Sequence, residues 1–387
     1  MRRACFALVL GMCVPAAAAA QQGPADVLGF LVTNQSVQTG DFQKDQSAAA
    51  ATRDTIIRAL QVNLATVPIA TSSSGFTYRL DPELGTATRV SDNFGTFFVE
   101  RAATSGAGRV SFGVSGTAAF YDRLDGFNLR DGTLQTTANQ FQDESSPFDT
   151  ESLTLKIRTN TMTLYGTVGV TDRLDIGAAL PFVQLRIDGS RLNVYRGDEF
   201  VQASGTASAS GVADAAIRAK YLLVSSRGGG FAVAGELRLP TGNEASLLGA
   251  GKAAIRVMGI GSIEQRRVGV HGNISMVQGG VSDEIAANGA VTYAATPKVT
   301  VVGEFLMRHL SDLQKIAPVT APHPFASGVI TSRLVPGTSN PTLSSAVTGV
   351  KWNAGTTFVL TVEGAWRIGQ AGLTSPFVPT IALDYLF

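Results

Sequence analysis

The chain has 387 residues, of which 44% are hydrophobic, and its 31 Lys and Arg nearly balance 30 Asp and Glu, for a formal charge of +1. Such a balance argues against nucleic-acid binding, because domains that bind nucleic acid concentrate basic residues on one surface. After the first twenty residues no stretch of about 18 apolar residues occurs, which excludes a membrane-spanning helix in the rest of the chain.

The start of the chain predicts a secretory signal peptide. Two arginines open the segment, residues 4–14 are apolar, and residues 18–20 form a small-residue cleavage motif. We therefore expect residues 1–20 to be removed and the mature chain to begin at Gln21. A twin-arginine signal and a lipoprotein signal at Cys13 are the alternatives, and both lack the flanking residues that those pathways use.

A short helix is predicted in the N-terminal segment, which we assign to residues 21–73. An alanine run favours a helix there, and Ile57, Leu60 and Leu64 repeat at helical spacing. If the strands that follow form a barrel, two interpretations are open. The segment is either a plug inside the lumen or an amphipathic helix at the periplasmic rim.

From residue 74 onward, short stretches alternate between apolar and polar side chains, as β-strands do. Ile217 and Tyr221, for example, oppose Arg218 and Lys220. Each stretch spans about ten residues, the length that a tilted strand needs to cross the hydrocarbon layer. A lipid-facing barrel puts apolar side chains outside and polar ones in the lumen. We therefore predict an all-β fold, a transmembrane antiparallel β-barrel over residues 74–387, with a soluble β protein as the alternative.

Short and long connections alternate along the predicted barrel, as in bacterial barrels with short periplasmic turns and longer outer loops. Counting back from a periplasmic C-terminus gives about fourteen strands, with twelve or sixteen as alternatives. The Pro- and Ser-rich residues 311–344 then form a long outer loop, within which residues 316–341 are a candidate lid or binding surface. The first strand, residues 75–80, is short. In residues 152–170 the apolar positions change from odd to even, which a β-bulge near Asn160 would accommodate.

Charged residues on the polar strand faces are the candidates for lining the lumen, where rings of charge would select the solutes that pass. They are Arg218, Lys220, Glu236, Arg238, Arg256, Glu304, Arg308, Lys351, Glu363 and Arg367. The alternative role is structural, since opposite charges on neighbouring strands can pair and fill the lumen. Because the signs are mixed and buried charges need partners, we expect mutual pairing that leaves a residual path, and weak ion selectivity.

No catalytic, cofactor-binding or metal-binding residues are predicted. Residues 249–252 match only part of a phosphate-binding loop. The two cysteines, Cys5 and Cys13, lie in the leader, so the mature chain is predicted to have no disulfide and no thiolate metal site. The three histidines are too scattered for a zinc motif, and His271 is expected to be structural or to line the pore.

The chain ends on a strand with aromatic residues at its third-to-last and last positions, Tyr385 and Phe387. This ending resembles the C-terminal signal that the assembly machinery of bacterial outer-membrane barrels reads. We therefore expect the protein in the bacterial outer membrane, with membrane lipid and the barrel-assembly machinery as partners and with no nucleic-acid partner.

The mature chain resembles an outer-membrane family described by the MetA pathway of phenol degradation, distantly like long-chain fatty acid channels. The matching stretches are Leu164 to Gly177 with Leu180-Pro181, Ala215 to Tyr221, and Leu237 to Glu244. The resemblance implies a barrel that passes aromatic or other hydrophobic compounds. The predicted function is therefore a passive channel without enzyme activity. A structural or adhesive barrel that does not conduct, and a general porin for small hydrophilic solutes, are the alternatives.

Overall fold

The computed structural model describes residues 23–33, 37–65, 78–81, 86–89, 93–226, 228–355 and 357–386. The predicted leader and Phe387 lie outside these residues. The helices are α1 Pro24–Thr33 and α2 Phe42–Ala65, and the strands are β1 Tyr78–Asp81, β2 Thr86–Arg89, β3 Val110–Tyr121, β4 Arg123–Leu124, β5 Phe127–Asn128, β6 Gln135–Phe141, β7 Asp149–Thr171, β8 Leu174–Tyr195, β9 Asp198–Val212, β10 Ala215–Ser226, β11 Gly229–Leu239, β12 Ala254–Gln265, β13 Val268–Gly279, β14 Glu284–Thr296, β15 Val299–Leu310, β16 Gln314–Pro322, β17 Val329–Thr338, β18 Thr342–Asn353, β19 Phe358–Ile368, β20 Leu373–Thr374 and β21 Phe377–Leu386.

Twelve antiparallel strands close into a barrel. Their ring order is β7, β3, β21, β19, β18, β15, β14, β13, β12, β11, β10 and β8, and β8 pairs back onto β7. The predicted fold class, an all-β antiparallel barrel with an N-terminal helical segment, is confirmed. The strand number is twelve, the lowest of the values that the sequence allowed.

The difference from fourteen comes from the residues before β3. The strand predicted at residues 75–80 overlaps β1, which pairs only with β2 in a separate hairpin. Residues 94–101, counted as the second strand, form no strand, and most of their side chains are buried. Because Glu100 and Arg101 are both buried there, this stretch has no apolar face to present to lipid and lies inside the barrel instead.

The outer surface of the barrel is apolar and its inner surface is polar. Ile217, Phe231, Val257 and Ile274 are each more than a third exposed, while the residues between them along the strands are largely buried. A soluble protein would bury such side chains, whereas a transmembrane barrel presents them to lipid. The protein therefore spans the bacterial outer membrane, with the short turns at the periplasmic end.

β7 and β8 extend beyond the membrane. At one level along these strands the apolar residues change from the outward face to the inward face. Asn160 pairs with Gln184 across these strands. Toward the short turns, Met162 and Phe182 face outward. On the other side of the Asn160–Gln184 pair, Ile157 and its neighbours on alternate positions are buried inside. The strand keeps one phase across Asn160, so the β-bulge predicted there was wrong. The odd-to-even change marks the outer edge of the membrane.

The extended halves of β7 and β8 carry a small outer sheet. β9 pairs with β8, and β6, β17 and β16 continue the sheet from β7. Most of residues 311–344, predicted as a loop, thus form the β16–β17 hairpin of that sheet, and the last three of these residues begin β18. α1 packs on β8 and β9, and α2 packs on β16 and β17. Leu28, Leu31 and Leu60 lie in one apolar cluster with the inner residues of the sheet. Among the described residues, no helix combines the length and the hydropathy needed to cross a membrane.

Candidate functional site: the barrel lumen

The ten charged residues proposed for the lumen all lie on the inner face of barrel strands. Seven of them are less than a tenth exposed, and Arg256, Arg308 and Arg367 are partly exposed. Whether they select solutes stays a prediction. The structure does show which groups these side chains bind. Many of the partners are residues that precede the barrel strands in the chain.

Residues 93–108, which we call the lumen segment, run inside the periplasmic half of the barrel. The Phe94 N–H donates to Thr300 Oγ1 at 3.0 Å, near the start of β15. The Ser105 N–H donates to the carboxylate of Asp175, at 3.0 and 3.1 Å to its two oxygens, near the start of β8. Phe94 and Phe97 are almost fully buried. The segment therefore crosses the lumen from one side of the wall to the other.

Glu304 on β15 holds the middle of the lumen segment. Its carboxylate accepts from the N–H of Phe97 at 2.6 Å, of Phe98 at 3.0 and 3.3 Å, and of Val99 at 3.0 Å. Three consecutive amides that converge on one anion form a nest, an arrangement that binds anions well. Glu304 is only 4% exposed, so these bonds replace the water that the carboxylate lost on burial.

Two wall lysines hold the carbonyl groups of the same segment. Lys351 on β18 donates to Thr96 O at 2.6 Å and lies 5.9 Å from the centroid of the Phe97 ring. Lys220 on β10 donates to the carbonyl oxygens of Arg101 and Ala103 at 3.2 and 2.8 Å. Side chains from three strands therefore bind one stretch of backbone. Glu304 accepts from its N–H groups, and the two lysines donate to its carbonyl groups.

Polar side chains complete the attachment. Asn273 accepts from the Glu100 N–H at 2.7 Å and donates to the Glu100 carbonyl at 2.8 Å. Ser262 accepts from the Ala102 N–H at 2.8 Å. The end of the segment reaches the β7–β8 turn, where Asp172 accepts from the Ala107 N–H at 3.1 Å. Through these side-chain contacts, six barrel strands and one turn hold this one segment.

The charged side chains pair across strands and with the lumen segment. Arg218 donates to Glu236 on the next strand at 2.5 and 3.0 Å and also pairs with Glu100 of the lumen segment. Arg238 donates to the other oxygen of Glu236 at 3.0 Å. Lys220 lies 3.5 Å from Glu100 and 3.6 Å from Asp175. Buried charges paired in this way lock the segment, because removal of one partner leaves a buried charge without full compensation.

A second charge cluster lies toward the outer mouth. Glu284 accepts from Arg308 at 2.5 and 2.8 Å and from Arg256 at 3.3 Å. Arg367 donates to Asp122 at 3.0 Å. Charged pairs therefore occur at both levels of the barrel, while Glu304 and Lys351 bind backbone groups of the lumen segment instead.

Two buried carboxylates have no direct hydrogen-bond partner among the described residues. They are Glu363 and Glu264. The Nε2 atom of His271 also has no hydrogen-bond partner in the part of the chain that the structure describes, and it lies 4.0 Å from Glu264 Oε1. The other ring nitrogen of His271 lies 2.9 Å from Ser262 Oγ. His271 thus faces the lumen, next to the lumen segment. Within the described part of the chain no group of three metal-ligating side chains occurs.

α2 covers the outer mouth. Arg58 donates to Asp312 O at 3.3 Å, Gln61 to Gly249 O at 3.4 Å, and Asn63 to Leu373 O at 3.1 Å. These acceptors belong to three different long connections, so the helix crosses the opening. The interpretation of this helix as a periplasmic rim element does not agree with these contacts, since α2 lies at the opposite end.

Several residues that shape the lumen are not identified by the sequence pattern. Glu100 and Arg101 lie outside the barrel strands, and Asp175 and Glu284 occupy inward strand positions beyond the ten predicted charges. The available signal is the interrupted alternation around residues 94–101. Tyr385, proposed as part of the assembly signal, packs against Phe112 and Phe358 with ring centroids 5.2 and 4.8 Å away.

The central part of the chain is similar to a known protein family. Residues 130–315 match the family model described as "Putative MetA-pathway of phenol degradation". The match covers β6 to β15, which includes the Leu164 to Gly177 stretch that carries the resemblance. Among curated proteins, none matches this chain.

Solved barrels are similar at low sequence identity. An outer membrane channel from Pseudomonas putida F1 is 10% identical, with 74% of this chain and 98% of that chain covered and a TM-score of 0.49. The CymD monoaromatic hydrocarbon channel is 9% identical, with 73% of this chain and 89% of that chain covered and a TM-score of 0.28. OprB of Pseudomonas putida is 9% identical, with 72% of this chain and 93% of that chain covered and a TM-score of 0.31. At these identities and TM-scores the similarities say nothing about the substrate of this protein.

Proposed function

We propose that this barrel is a passive outer-membrane channel for small hydrophobic or aromatic molecules, in which the lumen segment is the constriction. The observation that carries the proposal is that a segment of the same chain fills the periplasmic half of the lumen and is held by side-chain contacts rather than by strand pairing. Such contacts can open without disturbing the barrel wall, whereas an additional wall strand could not move.

The entrance supports a hydrophobic solute over a hydrophilic one. At the outer end of the barrel Leu155, Val183 and Ile187 pack with residues of α1 and α2 in one apolar cluster and are nearly fully buried. An apolar molecule can exchange contacts with such side chains at little cost, while a sugar would lose its hydrogen bonds to water. The family description points in the same direction, since phenol is a small aromatic compound.

A barrel that does not conduct is the second candidate, and the same filled lumen favours it. The many contacts that fix the lumen segment would then serve stability alone. A general porin is less favoured, because an open aqueous path is what the lumen segment removes.

The test is solute flux through purified protein in liposomes, with a phenolic compound compared with a sugar of similar size. The wild-type protein should pass the phenolic compound and exclude the sugar. Glu304→Gln should increase the flux of both solutes because it weakens the hold on the lumen segment. Glu144→Gln, which changes an exposed carboxylate on an outer connection, is the matched control and should behave as wild type.

Each outcome separates the candidates. Equal sugar and phenol flux through the wild type would identify a general porin. No flux through the wild type or through Glu304→Gln would contradict the channel proposal and favour the structural barrel.

A further inference from the structure

A groove lies on the lipid-facing surface where β3, β7, β8 and β21 come together. Its volume is about 960 Å³, and it runs over Gly116 and Ala118, between Ile381 on one side and Met162 and Phe182 on the other. A Cβ atom added at Gly116 would meet nothing within 4 Å. The packing of the protein itself therefore does not require a glycine at the floor of this groove.

The groove ends at the outer edge of the membrane. Asn160 and Gln184, the pair at which the apolar side of β7 and β8 changes, form its outer end. Successive residues of a strand rise about 3.3 Å, so the next outward-facing residue on β7, Arg158, lies about 7 Å beyond Asn160. That position is at the level of the lipid headgroups.

Three basic side chains occupy this level on the same outward face. Lys156, Arg158 and Arg186 are all exposed, and Arg158 stands directly opposite Arg186 in the β7–β8 pairing. Like charges in that position repel. Asp188, which bonds Arg186 at 3.0 Å, compensates only part of this positive charge, and the guanidinium of Arg158 lies 5.6 Å from the centroid of the Phe120 ring.

We infer that this face binds an anionic lipid of the outer leaflet, with one acyl chain in the groove and a phosphate between Arg158 and Arg186. A phosphate there relieves the repulsion of the two arginines, and the planar guanidinium groups suit its oxygens. The acyl chain fills the space over Gly116 and Ala118. This inference depends on the orientation of the barrel and not on the solute that it passes.

The test is lipid binding to the purified full-length protein in non-ionic detergent, followed by native mass spectrometry. The probes are bisphosphorylated lipid A, the same glycolipid without phosphates, and inorganic phosphate as a competitor. The variants are Arg158→Gln with Arg186→Gln, and Gly116→Leu, which fills the groove and leaves the charges in place. Arg173→Gln, an exposed arginine in the periplasmic β7–β8 turn, is the matched control. Heat-modifiable migration in gels verifies that each variant is a folded barrel.

The wild type and Arg173→Gln should bind lipid A equally. The double arginine variant should lose affinity on the order of tenfold or more, since each basic residue near a headgroup contributes measurably. Gly116→Leu should also lose affinity, and the phosphate-free glycolipid should bind weakly. Equal binding by wild type and the double variant, or an equal loss in Arg173→Gln, would overturn the inference. Displacement of the lipid by millimolar inorganic phosphate would assign the site to free phosphate instead.

Discussion

Replacement of Glu304 by Ala removes the carboxylate on which three backbone amides of the lumen segment converge. The N–H groups of Phe97 and Val99 are buried with their residues, and without Glu304 they lose their acceptor. The barrel wall itself should be little affected, because β15 keeps its backbone pairing with β14 and β18. The variant therefore acts on the closed state of the segment.

The magnitude follows from two opposing terms. Hydrogen bonds to a charged acceptor contribute about 1.5 to 3 kcal/mol each, and three are lost. Against this, the variant no longer buries a carboxylate, whose desolvation costs several kcal/mol. We expect a net loss of about 3 kcal/mol for the closed position, which makes opening of the segment about 100-fold more frequent, since 1.4 kcal/mol corresponds to about tenfold.

Hydrogen exchange with mass spectrometry measures this directly. Peptides that contain residues 97–99 should be strongly protected in the wild type and should exchange about 100-fold faster in Glu304→Ala. Glu304→Gln, which keeps one acceptor oxygen, should lie between them, and Glu144→Gln should match the wild type. Peptides from β15 serve as the internal reference for the barrel wall.

Unchanged protection of residues 97–99 in Glu304→Ala would refute the reasoning, because the contacts of Lys351 and Lys220 would then suffice to hold the segment. Equal deprotection of β15 would also refute it. In that case Glu304 would support the wall and not the segment.

Further substitutions test the other contacts. Lys220→Met should lower the free energy of unfolding by about 3 to 5 kcal/mol, because the buried carboxylates of Glu100 and Asp175 lose a compensating cation, while Lys156→Met on the outer face should have little effect; denaturant titration with a gel-shift readout compares them. Leu60→Ala in α2, a fully buried side chain, should cost about 2 to 5 kcal/mol of helix docking and expose α2 to protease on intact cells, and unchanged cleavage would contradict this role. Gly169→Ala should impair folding, since a Cβ there would lie 1.9 Å from the carbonyl oxygen of Gly106, whereas Gly235→Ala meets nothing within 4 Å and should refold as the wild type does.

The alternation of side chains along the sequence by itself determined the wall of the barrel. Ile217 and Arg218 must lie on opposite faces of a strand, since side chains alternate with a period of two. After residue 20 the sequence contains many such strands and no apolar stretch long enough to cross a membrane as a helix, so a closed barrel with an apolar outside is the consistent solution. Within the membrane the twelve barrel strands follow this pattern, and the inward position of all ten lumen charges follows from it.

What lies inside the barrel was decided by the tertiary structure. The hold of Glu304 on residues 97–99 joins positions some 200 apart in sequence, and the backbone amides that it binds have no sequence signature. In residues 153–157 the apolar side chains turn inward because α1 and α2 supply a protein core beyond the membrane. The same alternation therefore predicted a lipid-facing surface where none exists. Periodicity specifies which side chains share a face, but only the neighbours in space decide whether that face meets lipid, water or another part of the chain.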